Sequence, residues 1–134
     1  MKIGFACGVF DLYHPGHVLM LKECRENCDH LIVALNKADN LSANKNAPIF
    51  SIEERQMLIE STKYADEVIV YNSEEELQKI LQTKKIDIRF LGDDYKGKPI
   101  TGADLKIKIH YINRSHGYST TALIRRILDF YGVK

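Results

Sequence analysis

Tryptophan is absent from this 134-residue sequence, and cysteine and proline each occur only three times. An odd number of scattered cysteines does not indicate a disulfide framework, so the fold must depend on a hydrophobic core, which a chain of this length can form. Cys24 and Cys28 lie four residues apart. This spacing matches no common zinc motif, and we interpret both as small apolar side chains. We expect residues 1–134 to form a single domain.

An excess of one charge is also lacking, as is any hydrophobic run long enough to cross a membrane. The 19 basic and 18 acidic residues leave a formal net charge of +1. Proteins that bind extended nucleic-acid or membrane surfaces usually carry a strong excess of basic residues, which this chain does not have. Asp11 and His14 interrupt the apolar start too early for an ordinary signal peptide. We therefore expect a cytoplasmic protein with no nucleic-acid or membrane partner.

Short apolar runs alternate with longer amphipathic segments along the chain. Ser51 and Ser73 are each followed three residues later by glutamate, a capping-box pattern that begins a helix. A further helix carries Val18 to Cys24, and a last helix begins near Ser119. Strands that alternate with helices predict an α/β fold, with a parallel sheet covered on both faces. The apolar runs predict strands at 3–7, 31–35, 68–71, 86–91 and 107–112.

Two polar stretches, 37–50 and 93–104, follow predicted strands and read as long loops. Loops of this length are often functional, and open α/β sheets bind ligands beyond the carboxyl ends of their strands. Residues 92–98 approach a P-loop pattern, but Pro99 stands where the motif requires serine or threonine for Mg²⁺. We therefore reject a P-loop and place the ligand site at the strand ends.

His14 and His17 follow the first strand and a glycine turn at Gly8. Pro15 suits the first position of a helix, and histidines three residues apart across that first turn share one face. Free backbone donors, the positive end of the helix and two imidazoles together favour a bound phosphate. A zinc site is the competing interpretation, although no third ligand is evident nearby.

A second anion site is predicted at the start of the last helix, where Ser119, Thr120 and Thr121 supply hydroxyls and free amides. Gly117 can form the preceding turn, and Arg114 can add positive charge. Simple helix capping would explain the same residues. The two predicted sites become one functional site only if both helix starts converge on one ligand.

Two motifs carry a resemblance to a known family. Gly8-Val-Phe-Asp11 followed by His14-Pro-Gly-His17 resembles the signature of the cytidylyltransferase-like nucleotidyltransferases, and the segment 114–121 resembles their second motif. The similarity is nearest to the bacterial glycerol-3-phosphate cytidylyltransferases. It implies a Rossmann-like, doubly wound sheet of about five parallel strands and a homodimer. It also implies transfer of CMP from Mg²⁺-bound CTP to a phosphorylated alcohol such as glycerol 3-phosphate, with release of pyrophosphate.

The resemblance further implies residue roles. The catalytic residues would be His14, His17 and Lys45. The nucleotide would be bound by Gly8, Val9, Phe10, Gly16, Asp94, Arg114, Gly117, Ser119, Thr120 and Thr121. The acceptor would be bound by Asp11, Lys45, Lys63, Asp66 and Tyr95. The Mg²⁺ ion would be held through the nucleotide phosphates and not by a protein site.

Three residues depart from the glycerol-3-phosphate enzymes and bear on the acceptor: Val9 replaces a frequent threonine, Lys63 an arginine and Tyr95 a tryptophan. One alternative is an adenylyltransferase of the same superfamily that acts on a sugar phosphate such as a heptose phosphate. Another, from a different class, is a nucleotide-binding module without catalytic turnover.

Overall fold

The computed structural model describes residues 1–38 and 47–133, in which strands and helices alternate. They are β1 (Ile3–Gly8), α1 (Pro15–Glu26), β2 (His30–Asn36), α2 (Ile52–Glu60), β3 (Glu67–Tyr71), α3 (Glu74–Thr83), β4 (Ile88–Gly92), β5 (Lys108–Ile112) and α4 (Thr120–Phe130). All five predicted strands form, with ends that shift by one or two residues. The predicted loop 93–104 contains two short 3₁₀ turns, at Asp93–Tyr95 and Ala103–Leu105.

The strands form one parallel sheet in the order β3-β2-β1-β4-β5. The chain adds strands on one side of β1 and then crosses over to add the remaining strands on the other side. Such a reversal opens a crevice beyond the carboxyl ends of the central strands. The predicted Rossmann-like parallel sheet is confirmed, and its reversal fixes where a ligand can enter.

Helices cover both faces of this sheet. On one face, Leu21 and Cys24 of α1 and Ile59 of α2 pack against a buried layer that includes Val33 and Phe90. On the other face, Leu77 and Leu81 of α3 pack against Phe5, Ile32 and Ala34. The doubly wound arrangement is therefore confirmed. Among the described residues, no helix is long and apolar enough to cross a membrane.

The helix starts follow the capping chemistry of the sequence. Pro15 occupies the first turn of α1, and Ser51 and Glu54 form a complete capping box at α2. At α3, Ser73 accepts from the Glu76 amide, but the return bond from the Glu76 side chain is not found between these two residues. Only half of that predicted capping box forms, and a lone serine cap is still sufficient to begin a helix.

Candidate active site

A cavity of about 470 Å³ opens at the carboxyl ends of β1, β2 and β4. Of the sequence-predicted site residues, nine line it: Gly8, Val9, Phe10, His14, Gly16, His17, Tyr95, Arg114 and Thr120. They come from three separate parts of the chain, namely the β1–α1 region, the segment after β4 and the segment that leads from β5 into α4. The sheet reversal is what brings them together.

The turn between β1 and α1 is tied to the residues before α2 by the side chain of Asp11. Phe10 and Leu12 both adopt positive φ values, of 53° and 51°, a conformation that non-glycine residues rarely adopt. Between them, the Asp11 carboxylate accepts from the amides of Ile49 and Phe50 at 2.7 and 2.9 Å. Asp11 was expected to bind the acceptor. Its oxygens hold residues 49 and 50 beside the turn, and its role toward the acceptor stays a prediction.

Arg55 of α2 ties the same turn to the end of β2. Its guanidinium is almost fully buried and donates to the carbonyl oxygens of Val9, Asn36, Lys37 and Phe50. Hydrogen bonds to a charged donor are stronger than neutral ones, so these contacts fix the floor of the cavity. No role was predicted for Arg55 from the sequence.

The two predicted histidines are adjacent at the start of α1. His14 is the N-cap residue, and its Nδ1 accepts from the Gly16 amide at 3.0 Å. His17 Nδ1 accepts from the His14 amide at 3.2 Å. The ring centroids are 3.9 Å apart. A neutral imidazole that accepts at Nδ1 carries its proton on Nε2, so the backbone makes both rings Nε2–H donors.

Both histidines are held in the neutral form. Burial, with smaller contributions from His14 and Arg114, lowers the pKa of His17 to about 4, and Asp11 opposes this shift only weakly. Burial also lowers the pKa of His14, with smaller contributions from Arg114 and His116. Neutral N–H donors near a positively charged arginine suit phosphate oxygens, because no proton has to be taken up for the hydrogen bonds to form.

Gly16 is required by how closely its neighbours pack. A Cβ atom at this position would lie 2.8 Å from His14 Cε1 and 3.0 Å from Tyr118 Cβ. The glycine therefore allows the histidine ring and the segment before α4 to approach the first turn of α1 from both sides. The second motif predicted no role for Tyr118, although this residue stands between Gly117 and Ser119.

The second helix start meets the first. His14 Nε2 and Thr120 Oγ1 are 3.2 Å apart, and the same hydroxyl lies 3.4 Å from the Asp11 carbonyl oxygen. Ser119 Oγ caps α4 by accepting from the Ala122 amide at 3.0 Å. Thr121, the third predicted hydroxyl, is exposed. The positive ends of α1 and α4 thus converge on one space, the arrangement that a polyphosphate requires.

The segment after β5 places Arg114 at the rim of the cavity, next to the turn that follows β4. Arg114 pairs with Asp94 at 3.5 Å, and its amide donates to Asp93. A Cβ atom at Gly92 would lie 2.4 Å from Asp94 Oδ1, so the glycine permits this close contact. Gly117 forms the turn that leads to α4 with a φ of +82°, as the motif predicted.

Two predicted acceptor residues lie elsewhere. Asp66 directly precedes β3, and its carboxylate pairs with Arg25 and accepts from the Leu31 amide. Lys63 follows α2 and lies over the Tyr64 ring. Both are exposed near the amino-terminal edge of the sheet, and neither lines the cavity, so their role in acceptor binding stays a prediction. Lys45, the predicted catalytic lysine, lies outside the described residues.

Several residues that line the cavity were not predicted: Asn36, Tyr71, Glu74, Arg89, Thr101 and His116. Asn36 and Tyr71 are the last residues of β2 and β3. The expectation that ligands bind beyond the carboxyl ends of the strands could therefore have identified them. Arg89 interrupts the apolar strand run at 86–91, and this interruption was the available signal. Glu74 and Thr101 belong to no motif.

Comparison with known proteins extends these observations. Residues 5–126 match the family model described as cytidylyltransferase-like. The bifunctional protein HldE of Campylobacter concisus is 35% identical over 130 residues, covering 96% of this chain, and that of Helicobacter pylori is 36% identical over 129 residues, covering 94%. The chain spans 27% of the length of each of these relatives.

A solved structure has the same fold. The lipopolysaccharide core biosynthesis protein of Thermoplasma volcanium is 28% identical to the chain and superposes on it with a TM-score of 0.66. The superposition covers 84% of this chain and 95% of that protein. The likeness therefore extends over most of both chains.

Proposed function

Since the chain belongs to the cytidylyltransferase-like family of nucleotidyltransferases, we propose that it transfers an adenylyl group from ATP to a sugar phosphate and releases pyrophosphate. The sequence resemblance alone favoured CTP and glycerol 3-phosphate. The HldE relatives support the adenylyltransferase alternative instead. The name of the Thermoplasma protein points the same way, because a lipopolysaccharide core is built from sugars.

The observation that carries the proposal is the contact between the two helix starts, through His14 Nε2 and Thr120 Oγ1 at 3.2 Å. A triphosphate in this space would meet two neutral Nε2–H donors, the Thr120 hydroxyl and the free amides of α4. An acceptor phosphate oxygen would attack the α-phosphorus in line. The new P–O bond forms as the bond to the bridging oxygen breaks, and pyrophosphate leaves with that oxygen. Donors already in position stabilise the charge that develops in the transition state.

Mg²⁺ enters the proposal with the nucleotide. The donor set at the two helix starts consists of N–H and O–H groups, which bind phosphate oxygens. It leaves other phosphate oxygens to coordinate the ion, whose charge would neutralise the leaving pyrophosphate. In the part of the chain that the structure describes, no group of three or more His, Cys, Asp or Glu residues could hold a metal ion. A role for Lys45 on the acceptor phosphate and the homodimer both remain proposals.

Pyrophosphate release tests this function directly. The purified chain is given ATP or CTP with each of a panel of sugar phosphates and phospho-alcohols. His14→Asn keeps a good N-cap and His17→Gln keeps the capping-box acceptor, but both remove the Nε2–H. We expect each variant to lower kcat by roughly 100-fold or more, the cost of losing one preorganised transition-state donor.

His30→Asn is the matched control, because His30 lies beside Glu67 at the opposite edge of the sheet. Its turnover should equal that of the wild type. Wild-type rates in both His14→Asn and His17→Gln would refute the assigned site. Nucleotide binding without pyrophosphate release for any acceptor would instead identify a non-catalytic nucleotide-binding module.

A further inference from the structure

The cavity extends beyond the two histidines onto the face of the sheet that α3 covers. This part, here called the α3 lobe, is lined by Cys7, Asn36, Tyr71, Glu74, Arg89 and Thr101. Neither sequence motif contributes a residue to it. The lobe is therefore built from positions that phosphate binding at α1 and α4 does not use.

Arg89 is the unusual member of the lobe. It pairs in register with Phe5 of β1, whose side chain packs beneath α3, so its own side chain extends to the same face. The residue is only 4% exposed. It donates through Nη1 to the Thr101 carbonyl oxygen, yet its Nε is buried without a hydrogen-bond partner. Within residues 1–38 and 47–133, no carboxylate lies within ion-pair distance of it.

A buried guanidinium with an unpaired Nε–H and no neighbouring carboxylate is costly for the folded protein. Each unpaired buried donor loses its hydrogen bond to water, and the penalty is greater for a charged group. Native proteins pair almost all such groups, so an exception calls for an explanation. An oxygen-bearing ligand in the lobe supplies one, because its oxygens would offset the guanidinium charge, which no carboxylate of the described residues pairs with.

The other groups in the lobe define the kind of ligand. Glu74 and Thr101 are hydrogen-bonded at 2.7 Å, and Glu74 brings a carboxylate to the edge of the lobe. Burial raises the pKa of the Cys7 thiol and of the Tyr71 hydroxyl, so both groups are neutral. One cation, one carboxylate and several neutral polar groups match hydroxyls, which both donate and accept. A second phosphate would be repelled by Glu74.

We propose that the α3 lobe binds the hydroxylated carbon chain of the acceptor sugar phosphate, with Arg89 and Glu74 as specificity-determining residues. The proposal rests on the function proposed above. The starts of α1 and α4 occupy the nucleotide-phosphate side of the cavity, which leaves the α3 lobe for the acceptor. An acceptor with several hydroxyls fills the lobe, whereas a bare phosphate or a short phospho-alcohol does not.

The test compares KM values for the sugar phosphate that the wild type uses best and for ATP. Arg89→Lys keeps the charge but changes the donor geometry, and Glu74→Gln removes the carboxylate. We expect each variant to raise the sugar-phosphate KM by about 10-fold or more, the scale of one lost hydrogen bond to a charged group. The KM for ATP should stay within about twofold of the wild type. Glu75→Gln, at an exposed position next on α3, is the matched control and should change neither value.

The outcomes separate the two proposals. If the wild type releases pyrophosphate but both variants keep the wild-type sugar-phosphate KM, the lobe assignment is wrong and the function stands. If the wild type releases none, calorimetry of the same sugar phosphates decides, with inorganic phosphate as the reference probe. Weaker sugar-phosphate binding in both variants would then support the lobe, and unchanged binding would overturn it. Glu74→Gln alone suffices if Arg89→Lys does not fold.

Discussion

At the scale of single residues, the backbone determines how the two histidines can act. The amides of His14 and Gly16 donate to the Nδ1 atoms, and burial disfavours the charged rings. The sequence allowed either a neutral donor or a cation for these histidines. The hydrogen bonds and the lowered pKa values select the neutral donor in the ligand-free protein.

This environment predicts a specific dependence of stability on pH. The pKa of His17 is about 4 in the folded chain, below its ordinary value of 6.5, so the unfolded chain takes up the proton first as the pH falls. His17 should therefore lower the free energy of unfolding progressively between these two values, and contribute no further slope below about pH 4. Urea unfolding of the wild type and His17→Gln at several pH values measures this contribution.

The comparison is the difference in unfolding free energy between wild type and variant. It should shift in favour of His17→Gln as the pH falls through this window, because glutamine cannot be protonated. A difference independent of pH would show that His17 titrates normally. The histidine signal in an NMR titration gives an independent value for the same pKa.

The residue scale also explains which predicted residues the cavity brings together. His14 and His17 were found because helical spacing and a glycine turn are local features of the sequence. Asp66 and Lys63 were assigned from the family resemblance, which says nothing about the edge of the sheet at which they lie. Both precede β3, and residues before a parallel strand lie at its amino end. The interruption of the apolar run at 86–91 marked Arg89 as unusual, but its burial and its unpaired Nε are revealed only by the folded structure.

At the scale of elements, the start of α4 should serve both stability and ligand binding. Ser119 and Ser51 are both N-cap residues that accept from an amide three residues ahead, at 3.0 and 3.1 Å. Replacing either by alanine should lower the free energy of unfolding by about 1 kcal/mol, as N-cap losses usually do. Only Ser119 is flanked by residues that line the cavity, Tyr118 and Thr120, so Ser119→Ala alone should also weaken nucleotide binding.

Paired measurements test this prediction. Urea unfolding gives the stability of each variant, and calorimetry with ATP gives its affinity. Equal losses of stability but a weaker ATP affinity only in Ser119→Ala would support the phosphate site at α4. Equal ATP affinities of Ser119→Ala and Ser51→Ala would show that Ser119 only caps the helix, which was the simpler interpretation of the sequence.

At the scale of the whole molecule, the fold was predictable in type but not in arrangement. Apolar runs that alternate with helical segments predicted a parallel sheet covered on both faces, because each strand is apolar on both of its faces. The order β3-β2-β1-β4-β5 cannot be obtained from periodicity, since strand neighbours depend on long-range packing. This order brings the turn after β1, the segment after β4 and the start of α4 to one cavity. The α3 lobe arises from the same order and has no local signature.

Because ligand binding stabilises the whole folded chain, thermal unfolding can identify the nucleotide. A ligand at about 100 times its Kd adds roughly 2.7 kcal/mol, which for a domain of this size raises Tm by on the order of 10 °C. We expect ATP with Mg²⁺ to raise Tm more than CTP with Mg²⁺ at equal concentration, because the chain should bind the adenine nucleotide more tightly. His14→Asn should reduce both shifts, since each nucleotide carries the same triphosphate. A larger shift with CTP would identify CTP as the preferred nucleotide and would leave the assignment of the phosphate site unchanged.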